Sequence, residues 1–372
     1  MRLDNTTQAF FELVKAGFWE IGAQLSTFDH IDYNAVYQLA EEQTVIGLVA
    51  AGLEHVIDLK VPQEILFLLV GKTLQIEQRN KLMNDFVGNL VEKMRQSGIY
   101  IILLKGQGLA QCYERPLWRA CGDVDLFLSE DNYKKAIRYL TPLASSIDSE
   151  NEYYKHIAMQ IDSWSVELHG SLRNGLWHSM DVELDDIQKD IFFGGQVRSW
   201  MNNNTQVFLP RVDEDVIYVF SHILQHFYQE GIGLRQICDW CRLLYTNQET
   251  INRDLLEKRL RSMGVMSEWK TFASLSVAYL GMPEKVMPFY SSSKRWRRKS
   301  DRVVSLILKT GNFGHNRDYS YYEKYPYLIY KVISLWRHII DTYRYFSIFP
   351  MDSIKVLGSK VRNGIGAIIN CK

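Results

Sequence analysis

The stretch LLKGQGLAQCYERPLWRACGDVDLFL (103–128) decides how this chain is read. It begins at the end of IYIILL (99–104), a short β-branched apolar run of the kind that forms a buried strand. It closes on DVDLFL (123–128), a second strand in which acidic and apolar residues alternate. Successive strand side chains point to opposite faces, so Asp123 and Asp125 share one face and Val124 and Leu126 share the other. Two carboxylates this close repel, and burying them without a cation is costly. A divalent metal supplies the missing charge, and hard oxygen ligands are what magnesium prefers. Between the strands, KGQG enters a short helix. Such a turn exposes backbone N–H groups suited to phosphate, and Lys105 adds a positive charge beside them. The dinucleotide fingerprint fails because its third glycine is Gln111, and no Gly-Lys-Ser/Thr follows to make a Walker loop.

Outward from this stretch the texture changes on both sides. Residues 6–98 read as helices, with apolar residues at helical spacing in TQAFFELVKAGFWEIGAQL and AVYQLAEEQTVIGLVAAGLEHVI. A third helical run ends in Gly98 after Arg95 and Gln96. Downstream, EDNYKKAIRYLTPLASS (130–146) is an amphipathic helix, and HIAMQID (156–162), SWSVELHGSL (163–172) and TQVFLP (205–210) are strands. Helical spacing returns at DEDVIYVFSHILQHF (213–227) and persists. The expected class is α+β: a helical N-terminal module at 1–97, a core with a small mixed sheet at 98–210, and a helical C-terminal module at 211–372.

In SVELHGSL, Glu167 lies between Val166 and Leu168 in a segment that alternates as a strand. Paired beside DVDLFL, it completes a three-carboxylate cluster able to hold two metal ions for in-line displacement at phosphorus. His169 shares the face of Glu167, either as a packed strand residue or as a contact to substrate.

Composition bounds the rest. Of 372 residues, 47% are hydrophobic and 23% charged, the balance of a soluble globular protein. No apolar run reaches the ~18 residues of a membrane span; the best, 325–350, is interrupted by Lys331, Arg337, Asp341 and Arg344. The N-terminus reads as having no signal peptide. Five cysteines suit a reducing compartment, and a cytoplasmic location is expected. Cys238 and Cys241 form one CxxC on a helix without a second pair, which favours half-buried thiols over zinc. Net charge is zero, yet Lys294–Lys372 carries 16 Lys+Arg against 5 Asp+Glu, beginning at KRWRRK (294–299). Such a patch meets nucleic acid, an anionic membrane surface or the acidic remainder of its own chain.

The order strand, Lys-Gly, short helix, Arg119, Gly-Asp-x-Asp strand, helix, Glu-bearing strand resembles the nucleotidyltransferase superfamily of DNA polymerase beta. Within it, the chain looks most like an uncharacterised bacterial nucleotidyltransferase-like family found among capsular polysaccharide genes, and more distantly like toxin-type nucleotidyltransferases. The resemblance implies Mg2+ (or Mn2+) on Asp123, Asp125 and Glu167. It implies an NTP triphosphate on Lys105, the Gly106–Gln107 backbone and Arg119, with Arg119 alternatively bracing the carboxylates. HILQHF (222–227) and GLRQICDW (233–240) look like the family's C-terminal signature. There His222 and His226, and likewise Arg235 and Asp239, stand four residues apart on a helix. Without the resemblance, His226, Arg235 and Asp239 read as an ordinary ion-pair set; with it, Arg235 is a phosphate ligand oriented by Asp239. The sequence departs from the superfamily at Gln107, where a serine is usual, and in the long gap from Gly106 to Asp123.

The implied reaction moves a nucleoside monophosphate from an NTP to a hydroxyl acceptor and releases pyrophosphate. The acceptor is a glycan intermediate, a protein side chain or a tRNA end. Two rivals stand beside it: an inactive nucleotide-binding or scaffolding relative, and a zinc hydrolase built on His169, His222, His226 and a carboxylate. The second lacks any HExxH spacing.

Overall fold

The computed structural model describes residues 3–314 except 152, residues 343–359, and isolated positions between them. Four helices lead: α1 (Asn5–Trp19), α2 (Tyr33–Glu42), α3 (Ile46–Glu54) and the long α4 (Gln63–Gln96). Asp4 and Asp32 cap the first two by accepting backbone N–H groups of the first turn. The core then runs β1 (Ile102–Leu104), α5 (Gly106–Ala110), a 3-10 turn at Pro116–Trp118, β2 (Asp123–Phe127), α6 (Glu130–Leu140), β3 (Ala144–Ile147), β4 (His156–Ile161), β5 (Trp164–His169) and α7 (His178–Phe193). A separate hairpin, β6 (Arg198–Asn202) and β7 (Thr205–Leu209), precedes α8 (Val212–Gln229), α9 (Leu234–Thr246), α10 (Arg253–Met263), α11 (Met266–Leu280) and α12 (Lys294–Thr310).

The main sheet has the order β1-β2-β5-β4-β3, with β2 and β5 parallel and the other pairs antiparallel. The fold is therefore α+β, a mixed sheet flanked by helices, as the sequence implies. Period-two alternation sorts its side chains between two layers. Val124, Leu126, Val166, Leu168, Ile157 and Met159 pack with Met83, Val87 and Val91 of α4 and Tyr133 and Ala136 of α6. On the other side Ile102, Leu104 and Phe127 join a larger core that contains residues of α1, α3, α8, α9 and α11. Helices before and after the sheet thus share one apolar interior.

Three expectations change. The helix read over 130–146 stops at Leu140, because Pro142 removes a backbone donor, and Ala144–Ile147 becomes the edge strand β3. TQVFLP pairs with β6, a strand the sequence reading did not foresee, and not with the main sheet. Cys238 and Cys241 do lie on a helix, α9, but they are fully buried free thiols whose ionisation burial pushes up. Cys371 and most of the stretch 325–350 lie outside the described residues; among the described residues no helix is long and apolar enough to cross a membrane.

Helix α8 is anchored by a buried carboxyl. Tyr228 donates to Glu268 on α11 at 3.0 Å, and Asp352 stands beside it. Burial first, and then the neighbouring Asp352 charge, push the Glu268 carboxyl from 4.5 up to about 8. Between these values the folded protein keeps a proton that the unfolded chain has released, so stability drains as pH rises through that window. Thermal melts should fall from pH 5 to pH 8 in the wild type (roughly the window just given) and flatten in Glu268→Gln. Equal slopes in the two proteins would count against this protonation.

Candidate active site

Parallel pairing brings the acidic residues together. Asp125 is the register partner of Glu167 across β2 and β5, and Asp123 is the partner of Ser165. Asp123, Asp125, Glu167 and His169 therefore line one face, at the edge of the larger core where apolar packing stops. His156 joins them from β4, because it is the direct cross-strand partner of His169. Its Nε2 lies 3.1 Å from Glu167 Oε2. His169 Nε2 lies 2.8 Å from Asp125 Oδ1 and 3.6 Å from Glu167 Oε2. The sequence reading missed His156. A histidine opening a strand is ordinary, and only the β4–β5 register reveals its neighbour.

Lys105 reaches the same carboxylates through a strained turn. It follows β1, in which Leu104 pairs with Asp125, so an extended Lys105 would project to the opposite face. Instead Lys105 takes φ 49 and ψ −140, and Gly106 takes φ 42. Conformations of this kind cost a non-glycine residue free energy and concentrate at functional sites. The turn carries the ammonium back to Asp125 Oδ1 at 2.9 Å, where it also donates to His222 Nε2 at 2.9 Å. A side chain at Gly106 would be strained by its φ and would crowd Cys121 Sγ.

The charges are unevenly matched. Burial alone would raise Asp125, but Lys105 and His169 overcome it and hold its carboxyl well below the usual range. Asp123 is pushed up, first by the Asp125 charge and then by burial. Burial would also raise Glu167, yet the His156 hydrogen bond helps bring it down. Burial opposes the Lys105 charge, but Asp125 holds the ammonium firmly protonated. His222 is driven well below the ordinary histidine value, first by burial and then by Lys105, and so accepts as a neutral imidazole. One ammonium does not balance three carboxylates, and this donor set fits a divalent cation.

Opposite the acids lies a cationic wall. Arg119 grips Asp239 with both ends of its fork, Nε to Oδ1 at 3.0 Å and Nη2 to Oδ2 at 2.6 Å, and Tyr113 donates to the same carboxylate at 2.7 Å. Arg235 on α9 donates from Nη1 to Ala120 O at 2.9 Å. Burial first, and then the Arg119 charge, bring its pKa below the ordinary arginine value. Asp239 thus orients Arg119, not Arg235 four residues before it. Among the described residues, the buried Arg119 Nη1 and Arg235 Nε donate to no acceptor. Both arginines line one cleft with Lys105, Gly106, Asp123 and Asp125. Gln107 turns away: its buried amide donates to Asn80 Oδ1 at 2.9 Å, while Asn80 donates to the carbonyls of Leu117 and Arg119. Its side chain therefore pins the loop that positions Arg119. His226 sits behind His222, with 3.1 Å between their Nε2 atoms, and pairs with Glu230 through Nδ1 at 3.0 Å.

A family model described as "Uncharacterised nucleotidyltransferase" matches residues 29–281, more than half of the chain. The protein belongs to this family. No curated protein matches it. A solved structure, the antigenic nucleotidyltransferase-like protein from Paracoccidioides brasiliensis, is 14% identical over 48% of this chain and 86% of its own, with a TM-score of 0.31. The match to the family spans the sheet, the Lys105 turn and the helix that carries Arg235.

Two stability measurements separate scaffold from site in this nucleotidyltransferase-family protein. Removing one partner of a buried ion pair strands the other charge, so Asp239→Ala should lower the unfolding free energy by about 3–5 kcal/mol. Asp123→Asn removes like-charge repulsion with Asp125 and should leave stability unchanged or higher. Denaturant titration reads both, and a destabilised Asp123→Asn would mean that this carboxylate supports the fold.

Proposed function

We propose that this protein is a metal-dependent enzyme that transfers a nucleoside monophosphate from an NTP to a hydroxyl acceptor, releasing pyrophosphate. One observation carries the reading: Asp125 and Glu167 are register partners across parallel strands, with Asp123 on the same face and Lys105 against them. Family membership supports the general chemistry.

Asp123, Asp125 and Glu167 would hold divalent ions, Mg2+ or Mn2+, which when bound supply the positive charge that such a displacement needs. Lys105 stays protonated and would meet triphosphate oxygens from the turn at the end of β1. Arg119 and Arg235 each have a buried N–H free to donate to a phosphate oxygen. Gln107 and Asp239 act behind them, the first on the loop and the second on the Arg119 fork. In the transfer, the acceptor oxygen forms a bond to the α-phosphorus while the bond to the bridging oxygen of pyrophosphate breaks. The acceptor's proton passes to Glu167, whose carboxyl is held ionised beside His156. Phosphoryl chemistry of this kind is mostly positioning and charge neutralisation, so few residues suffice. Glycan intermediates, including those of surface polysaccharides, protein side chains and tRNA ends all offer the hydroxyl required.

A panel of α-labelled NTPs with Mg2+ tests this reading. Wild-type protein should release pyrophosphate or label an acceptor or itself. Asp123→Ala and Asp125→Ala should each lose about a thousandfold or more of that rate. Magnesium-independent NTP binding, or none in either protein, would favour a scaffolding role.

A further inference from the structure

We infer that His156, Glu167 and His169 form a nitrogen-containing cation site, chemically distinct from the all-oxygen Asp123/Asp125 pair, that takes a divalent transition cation such as Mn2+ or Zn2+ in preference to Mg2+. Strand register brings the three side chains together. His156 and His169 are cross-strand partners, with ring centroids 4.8 Å apart, and Glu167 precedes His169 by two residues on the same face. Both imidazole Nε2 atoms address one carboxylate oxygen, at 3.1 Å and 3.6 Å, and the three donor atoms lie within 4.8 Å of one another. Ligand atoms sharing a cation at about 2.1 Å stand roughly 3–3.5 Å apart for octahedral or tetrahedral angles, so small side-chain rotations bring all three into range.

Ligand chemistry then selects the ion. Magnesium takes oxygen ligands and gives up its water reluctantly, whereas imidazole suits first-row transition metals. Two histidines and one carboxylate leave further coordination positions for solvent or substrate. The side chains are 36%, 26% and 13% exposed for His156, Glu167 and His169, so solvent reaches the cluster while the strands hold it rigid. His169 Nε2 also contacts Asp125 Oδ1 at 2.8 Å, and on ligating a cation it would give up that contact, which couples this position to the oxygen-only one. One face of the sheet would then carry two unlike cation positions sharing a boundary at Asp125 and Glu167.

The inference concerns the cleft assigned above to transfer, but its test reads ligation and not turnover. Full-length protein loaded with Mn2+ is examined by electron spin-echo modulation, which registers nitrogen bound to the ion. Wild type should show imidazole nitrogen coupling that persists with millimolar Mg2+ present (a concentration on the order of magnitude at which oxygen-only sites exchange) and disappears when Zn2+ displaces Mn2+. His156→Gln and His169→Gln should each diminish the coupling and weaken Mn2+ binding by about tenfold or more. Asp123→Asn should keep the coupling. The wild-type spectrum decides even if a variant misfolds. Bound Mn2+ without nitrogen coupling, or no Mn2+ or Zn2+ bound, overturns the site. Mg2+-supported transfer without nitrogen coupling would spare the proposed function and sink only this inference; nitrogen coupling without transfer would do the reverse.

Discussion

Lys105 and Asp125 meet at 2.9 Å where the sheet's apolar packing gives out, and their contact sets the electrostatics of everything around it. Asp125 is buried, so its charge survives only because an ammonium and an imidazole lie against it. That satisfied carboxylate then raises Asp123 two residues away. The result is a group of acids left short of positive charge at a place where strand register, not side-chain flexibility, fixes their spacing. The backbone of Lys105 accepts an unfavourable φ to make the contact, and the helices around it hold that turn in place.

The opposite wall is built by long-range pairing. Arg119 comes from the loop before β2 and Asp239 from the middle of α9, and their two-pronged contact ties the sheet to the C-terminal helices. Gly47 on α3 lets the backbone at Trp118 approach, since any side chain there would collide with the Trp118 carbonyl. Asn80 on α4 receives Gln107 on one side and donates to the Arg119 carbonyl on the other. Helices α3 and α4 therefore aim a residue of the cleft, although none of their described side chains lines it.

Much of this was legible in the sequence, and the reasons for the exceptions are physical. The Asp-x-Asp strand, the Glu-bearing strand and the Lys-Gly turn announce themselves through local alternation and turn chemistry, so the α+β class and the shared face of Asp123 and Asp125 are legible directly. Glu167 needed one guess, that β5 lies beside β2, and the parallel register bears that out. His156 was not legible, because a cross-strand partner is set by register and leaves no local mark. The pairing of Asp239 with Arg119 leaves no local mark for the same reason. Four residues on a helix suggested Arg235, but a buried guanidinium 120 residues away offers a better-matched fork. Strand β6 was hidden by its polar, half-exposed face, and the end of α6 by a helical pattern that outlasted the proline able to stop it. The basic segment from Lys294 begins as α12, where Arg297 pairs with Asp301 at 3.1 Å; much of its remainder lies outside the described residues.

On the proposed function, this cluster of acids, facing a cationic wall, binds metal-bound triphosphate. A crystal structure with Mn2+ and a non-hydrolysable NTP, with manganese located by anomalous scattering, tests it most directly. Manganese should lie within about 2.0–2.3 Å of the Asp123, Asp125 and Glu167 carboxylates, with phosphates against Lys105, Arg119 and Arg235. Manganese absent from these carboxylates, or a triphosphate bound away from Lys105, would contradict it.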